Sequence, residues 1–289
     1  MRFGILGPIT VWTKDGVAVP IRELRLRLLL ASLLVDPGRS VPAERLAEQL
    51  WPHLSDPVAT LQAKVSTLRR LLDKAEPGAK DLIGYFGGGY RLDTTRAHLD
   101  LNEFLDYAEC ARDRDNPHER AAQFAHALSL FRGDPFADAA DESFARAAIT
   151  RCRDHWLNAI IDHAAAQIDL ERSGVVASDL GVIVEQFPLH QKLRAVYMTA
   201  LYRSGQQATA LQSYEELRKQ LAEELGIDPS PELAQLQVDM LRQAPHLTTA
   251  PVMAPAVPVA ATMASMCSQE ASVRPLVDYL IGCPEWQPT

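Results

Sequence analysis

Cysteine is scarce and unpatterned. The 289 residues hold four, Cys110, Cys152, Cys267 and Cys283, with no CxxC pair and no framework spacing. That excludes a disulfide-stapled scaffold and reads as reduced thiols. Several chemical signatures are missing as well. No HExxH pair and no Gly-x-Ser-x-Gly elbow occurs, and the run Gly87-Gly88-Gly89 lacks the following helix and the Lys-Ser/Thr of a phosphate loop. Cys152, His155 and His163 could share a helix face and imitate metal ligands, but no fourth ligand supports them, so packing roles are expected. A long apolar run is absent too. The low-charge stretch Ala250–Cys267 is interrupted by Pro251, Pro255 and Pro258 and lacks bulky apolar residues, so no membrane span is expected. The opening MRFGILGPITVW is strand-like and unlike a secretory leader. A cytoplasmic protein without catalytic site, metal or cofactor is the expectation.

What is present is an asymmetry of charge. The net charge is −8, yet residues 1–96 carry 14 Lys/Arg against 10 Asp/Glu, and residues 97–289 carry 15 against 27. A weakly basic head on an acidic body suits a chain of which one part meets phosphate. At this length two domains and a tail are expected: 1–96, 97–243 and 244–289.

The head reads as strands, three helices and a hairpin. Arg2 to Trp12 is β-branched and aromatic, and Asp15-Gly16 is a turn signal before a return strand. Leu24–Val35 reads as a helix with Leu24, Leu28, Leu30, Leu33 and Leu34 on its apolar side, stopped by Asp36-Pro37-Gly38. Pro42 opens a second helix through Trp51, and Pro57 a third that runs to about Lys74. In the third, Leu61, Val65, Leu68 and Leu72 form an inward stripe. Strand, glycines and strand follow over Leu82–Leu92. This is the order of a winged helix-turn-helix with small β-sheets. From Leu99 onward the period is helical, with short breaks, which predicts stacked antiparallel helix pairs. The clearest pair is Leu189–Arg203 with Gln206–Glu224, where Tyr202, Ala210 and Tyr214 occupy tetratricopeptide-like packing positions. The fold class is therefore mainly α: a winged helix followed by an all-α, tetratricopeptide-like repeat domain. Residues 244–268 have linker composition, and the segment to residue 289 is read as a largely disordered tail.

The third helix carries the functional expectation. With its stripe inward, Ala59, Ala63, Ser66, Thr67 and Arg70 face out, flanked by Thr60, Gln62, Lys64, Arg69 and Lys74. Small residues let a helix approach a groove, amides and hydroxyls can address base edges, and cations can neutralise phosphates. A third helix ahead of a Gly-rich hairpin is the element that a winged helix presents to the major groove. Arg91 is the one charged residue of the hairpin tip from Tyr85 to Arg91, so the wing should contribute little phosphate contact.

These segments resemble the Streptomyces antibiotic regulatory protein family. Phe3–Gly16 looks like its opening strands, ERLAEQLWP (44–52) and ATLQAKVSTLRRLL (59–72) like its second and third helices, and GGYRLD (88–93) like the far strand of its wing. LSLFRGDPFAD (128–138) and the ordered run Phe187–Leu233 are similar to the bacterial transcriptional activator domain. The resemblance implies a cytoplasmic activator that binds direct repeats in promoter DNA as a homodimer. It also implies recruitment of RNA polymerase through the sigma factor and the C-terminal domain of the α chain, and control of antibiotic or other secondary-metabolite genes. It assigns polymerase contact to Trp51, His53 and Asp56. No receiver, ATPase or phosphopeptide-binding segment is expected in this chain. Two positions depart from the family pattern: Thr67 stands where a basic residue is common, and Gly84-Tyr85-Phe86 replaces a hydroxyl and a charge in the wing. Two other readings stay open. One is a helical-repeat scaffold whose winged helix binds protein; the other is a metabolite-sensing helical domain that controls the head.

Overall fold

The computed structural model describes residues 1–247. Of the linker and tail expected over 244–289, residues 248–289 lie outside the described residues, whereas Pro245–Leu247 form a 3₁₀ turn in which Leu247 is buried. The described residues form two compact units: Met1–Asp113 with His126–Ala159, and Arg114–Ala125 with residues 160–247.

In the first unit, β1 (Arg2–Gly4) pairs antiparallel with β2 (Thr10–Trp12), which pairs with β3 (Ala18–Val19). Period-2 burial follows from the pleat: Phe3 and Val11 face each other and are sealed from solvent. Helix α1 (Leu24–Leu34) is the apolar centre. Leu26, Leu28, Leu29, Leu30, Leu33 and Leu34 are buried, whereas Leu24, read as part of the apolar side, lies in the first turn and is 48% exposed. A short β4 (Val41–Pro42) precedes α2 (Ala43–Leu50), so Pro42 ends a strand and caps the helix from outside. Helix α3 (Pro57–Ala75) buries Leu61, Val65, Leu68 and Leu72, the stripe that the sequence predicts. The wing is β5 (Ile83–Phe86) and β6 (Gly89–Leu92), and β6 also pairs with β4. Its turn is Gly87-Gly88, both at positive φ, as a tight hairpin requires.

The compact unit does not stop at residue 96. Strand β7 (His98–Leu99) runs parallel to β1, with Phe3 opposite Leu99, and completes a sheet of order β3-β2-β1-β7. Helix α4 (Asp100–Arg112) starts at once with Asp100, which is fully buried. Its carboxylate accepts the Ile5 N–H at 2.9 Å and the Leu6 N–H at 3.1 Å, and Arg132 Nη2 donates to it at 2.9 Å. Burial outweighs these donors and holds the Asp100 carboxyl above its ordinary pKa. The same stretch is laced further. Arg132 N–H donates to the Leu6 carbonyl and Phe136 N–H to that of Ile5, while Asp138 accepts from Ile9 N–H and from Arg27 Nε. Gly4 makes this possible, because a Cβ there would stand 2.3 Å from Arg132 Nη2 and 2.6 Å from the Trp12 ring. The Trp12 ring is flanked by the guanidinium groups of Arg2 and Arg132, at 5.1 and 4.8 Å from its centre. Cys152 is buried in this unit, and burial pushes its thiol up to about 12, so it is an inert packing residue.

The second unit is helical. It takes the end of α6 (Arg146–Asp169), then α7 (Ser173–Gln186), α8 (Gln191–Arg203), α9 (Gln207–Glu224) and α10 (Pro231–Leu241). Helices α7, α8 and α9 pack in sequence, as stacked pairs do. Gly205, at φ +83°, ends α8 with the left-handed residue that tight helix turns favour. Ala210 is sealed and Tyr214 is 5% exposed, which fits the packing roles predicted for them, and Ala200 is sealed as well; Tyr202 is only half-buried. Arg194 ties the pair by donating to Ser213 Oγ at 3.0 Å and to the Pro188 carbonyl at 3.2 Å. His163 is buried beside Gln167, and desolvation lowers its pKa to about 4. Helix α5 (Pro117–Ser129) belongs in part to each unit.

Candidate nucleic-acid interface

Asp56 sets the start of α3. Its carboxylate accepts the Ala59 N–H at 3.0 Å, and Pro57 takes the first helical position, where a missing N–H costs nothing. From that start the four buried stripe residues fix which residues face outward. Ala59, Gln62, Ala63, Ser66, Arg70 and Lys74 are exposed. The outward face is thus small in side-chain volume along its middle and cationic toward its C-terminal end.

The remaining predicted residues have local partners. Thr60 and Thr67 donate their hydroxyls to the carbonyls of Asp56 and Ala63 one turn back, at 3.2 and 3.0 Å. Lys64 pairs with Glu23 at the start of α1, on one flank of α3. On the opposite flank Arg69 donates from Nε and Nη2 to the Ile83 carbonyl, at 2.8 and 2.6 Å, and lies 5.9 Å from the Tyr90 ring centre. Arg69 therefore joins α3 to the first strand of the wing. Arg91 is half-buried and stacks on Phe86, its guanidinium carbon 4.0 Å from the ring centre.

A groove of about 570 Å³ runs between α3 and the wing, lined by Ser66, Arg69, Arg70, Asp73, Lys80 and Gly84 among others. It brings together Ser66, Arg69 and Arg70, while Lys64, Thr60 and Thr67 stand on the other flank. Lys80, exposed in the 3₁₀ turn Ala79–Leu82, is not legible as a site residue in the sequence because only the fold carries that turn to α3. Asp73 is committed to ending the helix, since its Oδ1 accepts the Gly78 N–H at 2.8 Å.

The α2–α3 loop carries Trp51, His53 and Asp56. Trp51 is half-buried with its N–H on the Ala47 carbonyl, His53 is exposed, and Asp56 is the cap of α3. Leu54, which no periodic pattern singles out, is 47% exposed at the loop's apex. A leucine beside a histidine in a loop bounded by Pro52 and Pro57 is the signal that could have found it.

Two family patterns match. "Transcriptional regulatory protein, C terminal" covers residues 17–92, and "Bacterial transcriptional activator domain" covers residues 99–241. The regulatory protein DnrI of Streptomyces peucetius is 30% identical over 275 residues, which is 91% of this chain and 99% of DnrI. The chain belongs to the Streptomyces antibiotic regulatory protein family of transcriptional regulators. Another relative, the regulatory protein AfsR of Streptomyces coelicolor, is 32% identical over 97% of this chain, which spans only 29% of AfsR. The solved structure of Mycobacterium tuberculosis EmbR, in complex with a low-affinity phosphopeptide, superposes with a TM-score of 0.76 at 29% identity. The match covers 84% of this chain and 65% of EmbR. Among the described residues, no helix is long and apolar enough to cross a membrane.

Proposed function

We propose that the chain is a cytoplasmic, sequence-specific DNA-binding activator. It binds direct repeats near promoters as a pair of copies and recruits RNA polymerase through the sigma factor and the C-terminal domain of the α chain. The genes it controls belong to a secondary-metabolite cluster, by analogy with relatives of this family. The segments 1–96 and 97–243 serve as DNA-reading head and activator domain. One observation carries this reading: α3 is fixed by a sealed apolar stripe, so that small and hydroxyl side chains, with Arg70 and Lys74, form its outward face. Such a helix can lie in the major groove with Gln62 and Ser66 at base edges and Arg70 and Lys80 at phosphates. Lys64 is available to phosphate only by leaving Glu23, and Arg69 acts by holding the wing to α3. Tandem copies on repeats about one helical turn apart, about 10.5 bp, would face one side of the duplex. His53 and Leu54 would meet polymerase.

Footprinting and salt titration of the full chain on promoter fragments test the reading. Arg70→Ala with Lys80→Ala should weaken binding to every sequence and lower the salt slope by about 1.8, the value for two lost phosphate contacts. Gln62→Ala or Ser66→Ala should shift sequence preference instead. No binding to any duplex at low salt would favour the scaffold reading, in which the winged helix meets protein.

A further inference from the structure

Among the described residues, the only strongly exposed aromatic side chains are two neighbours at the wing tip, Tyr85 at 59% and Phe86 at 48%. Exposed neighbouring aromatics at the edge of a proposed interface call for an explanation that scattered apolar residues do not. Successive strand residues point to opposite faces, so the two rings differ in role. Tyr85 lies on the face of Tyr90, across the hairpin from it, and meets that ring edge-on at 5.2 Å. Phe86 lies on the face shared by Gly84 and Arg91. Gly84 clears the space for it, since a Cβ on Gly84 would stand 2.1 Å from the Phe86 ring. Gly84 also lines the groove beside α3, and the Phe86 ring lies next to Gly84. Arg91 is stacked on the same ring. The single cation of this wing is therefore held on an aromatic plate near the hairpin tip.

We propose that Phe86 is an apolar contact to the deoxyribose edge of the minor groove flanking the α3 site, and that the wing adds affinity which is largely insensitive to salt. The proposal rests on the DNA-binding reading above. Its physical basis is a division of labour. Cations on α3 and Lys80 displace counterions from phosphates, which gives a salt-dependent contribution. An aromatic face laid on sugar carbons removes apolar area from water and displaces no counterion. Other DNA-binding proteins bring apolar side chains to the minor groove as wedges between base steps; here the ring would stay on the sugars and leave the stack intact. Arg91, stacked on Phe86, is directed by it rather than free to seek phosphate.

The test uses the full chain and a promoter duplex that it footprints. Phe86→Ser should weaken binding roughly tenfold at every salt concentration, leaving the slope of log K against log salt unchanged. Phe86→Leu, which keeps an apolar plate, should retain most of the affinity, and Tyr85→Ser should change it less than about twofold. Hydroxyl-radical footprints should lose one patch of sugar protection in Phe86→Ser, while protection of guanine N7 in the major groove persists. A lowered salt slope, an intact sugar footprint, or equal losses from Tyr85→Ser would overturn the assignment. So would a change in sedimentation mass of Phe86→Ser without DNA, which would make the ring a contact between copies. Failure of the unaltered chain to bind any duplex would overturn both this inference and the function on which it rests, whereas normal binding by Phe86→Ser overturns the inference alone.

Discussion

Replacing Asp100 tests the account of the first unit most directly. The carboxylate is 0% exposed, and it accepts the Ile5 and Leu6 N–H groups and the Arg132 guanidinium. Asp100→Ala leaves two backbone donors and one charged side chain without their acceptor. Breaking a fully buried ion pair by removing one member costs about 3–5 kcal/mol; Arg132, with its side chain 29% exposed, stays partly solvated, so the pair contributes less than that. A hydrogen bond to a charged group contributes about 1.5–3 kcal/mol, so the two backbone donors alone bring the loss into the same range. We therefore expect Asp100→Ala to lose about 3–5 kcal/mol, a large share of the ~5–15 kcal/mol that holds a typical domain together. Asp100→Asn keeps one acceptor oxygen but turns an amide N–H toward a donor, and should fall between. Asp106→Ala, exposed on the same helix, should stay within about 0.5 kcal/mol. Urea unfolding followed by far-UV ellipticity and tryptophan emission measures all three, with Trp12 reporting on the flanking Arg132. A loss below about 1 kcal/mol for Asp100→Ala would refute the reasoning, because it would mean that water or a shifted side chain replaces the carboxylate without cost.

Four further outcomes are expected. His53→Ala with Leu54→Ser should keep DNA binding and lose activation in a reconstituted transcription assay, whereas Asp56→Ala should cost about 1 kcal/mol of stability through the lost cap and Asp56→Asn much less. His163, lowered from 6.5 to about 4 in the folded chain, binds its proton more weakly there than when unfolded. Its linkage should leave stability intact above pH 6.5 and remove roughly 3 kcal/mol as pH falls from 6.5 to 4, an acid sensitivity that His163→Gln should diminish in urea titrations. Glu23→Gln should release Lys64 and steepen the salt slope of DNA binding by about 0.9, and an unchanged slope would place Lys64 away from phosphate.

The elements of the head were legible because their signals are local. The Leu61, Val65, Leu68 and Leu72 stripe, the Pro57 start and the Gly87-Gly88 turn each lie within a few residues of what they determine. The exposed face of α3 followed from the stripe. Its partners did not. Thr60 and Thr67 turn back to their own helix, and Arg69 finds a carbonyl 14 residues on, which composition cannot show. The role of Asp100 was hidden for the same reason. It reads as an ordinary acidic residue in a first helical turn, and only the β1–β7 pairing brings it to Ile5, 95 residues away. Leu24 failed as a core residue because periodicity gives the face of a helix and not the depth of its first turn.

The parallel pairing of β1 with β7 bears on the order of synthesis. Strand β1 emerges from the ribosome before most of its partners: its second neighbour and the carboxylate that fastens it arrive only with residues 98–100, and Arg132 and Asp138 later still. Closing a loop of that length adds only a slowly growing entropic cost, but it delays folding until the far end exists. At about 5–20 residues per second, the interval between β1 and Asp138 is on the order of ten seconds. During it, Phe3, Ile5 and Leu6, all sealed in the finished unit, lack the part of their surroundings that β7, α4 and the Arg132–Asp138 segment supply. A nascent chain halted before residue 98 thus carries the helices of the head with its sheet one strand short. Truncation for expression should accordingly be judged by whether it retains Asp138, and not by where the winged helix ends.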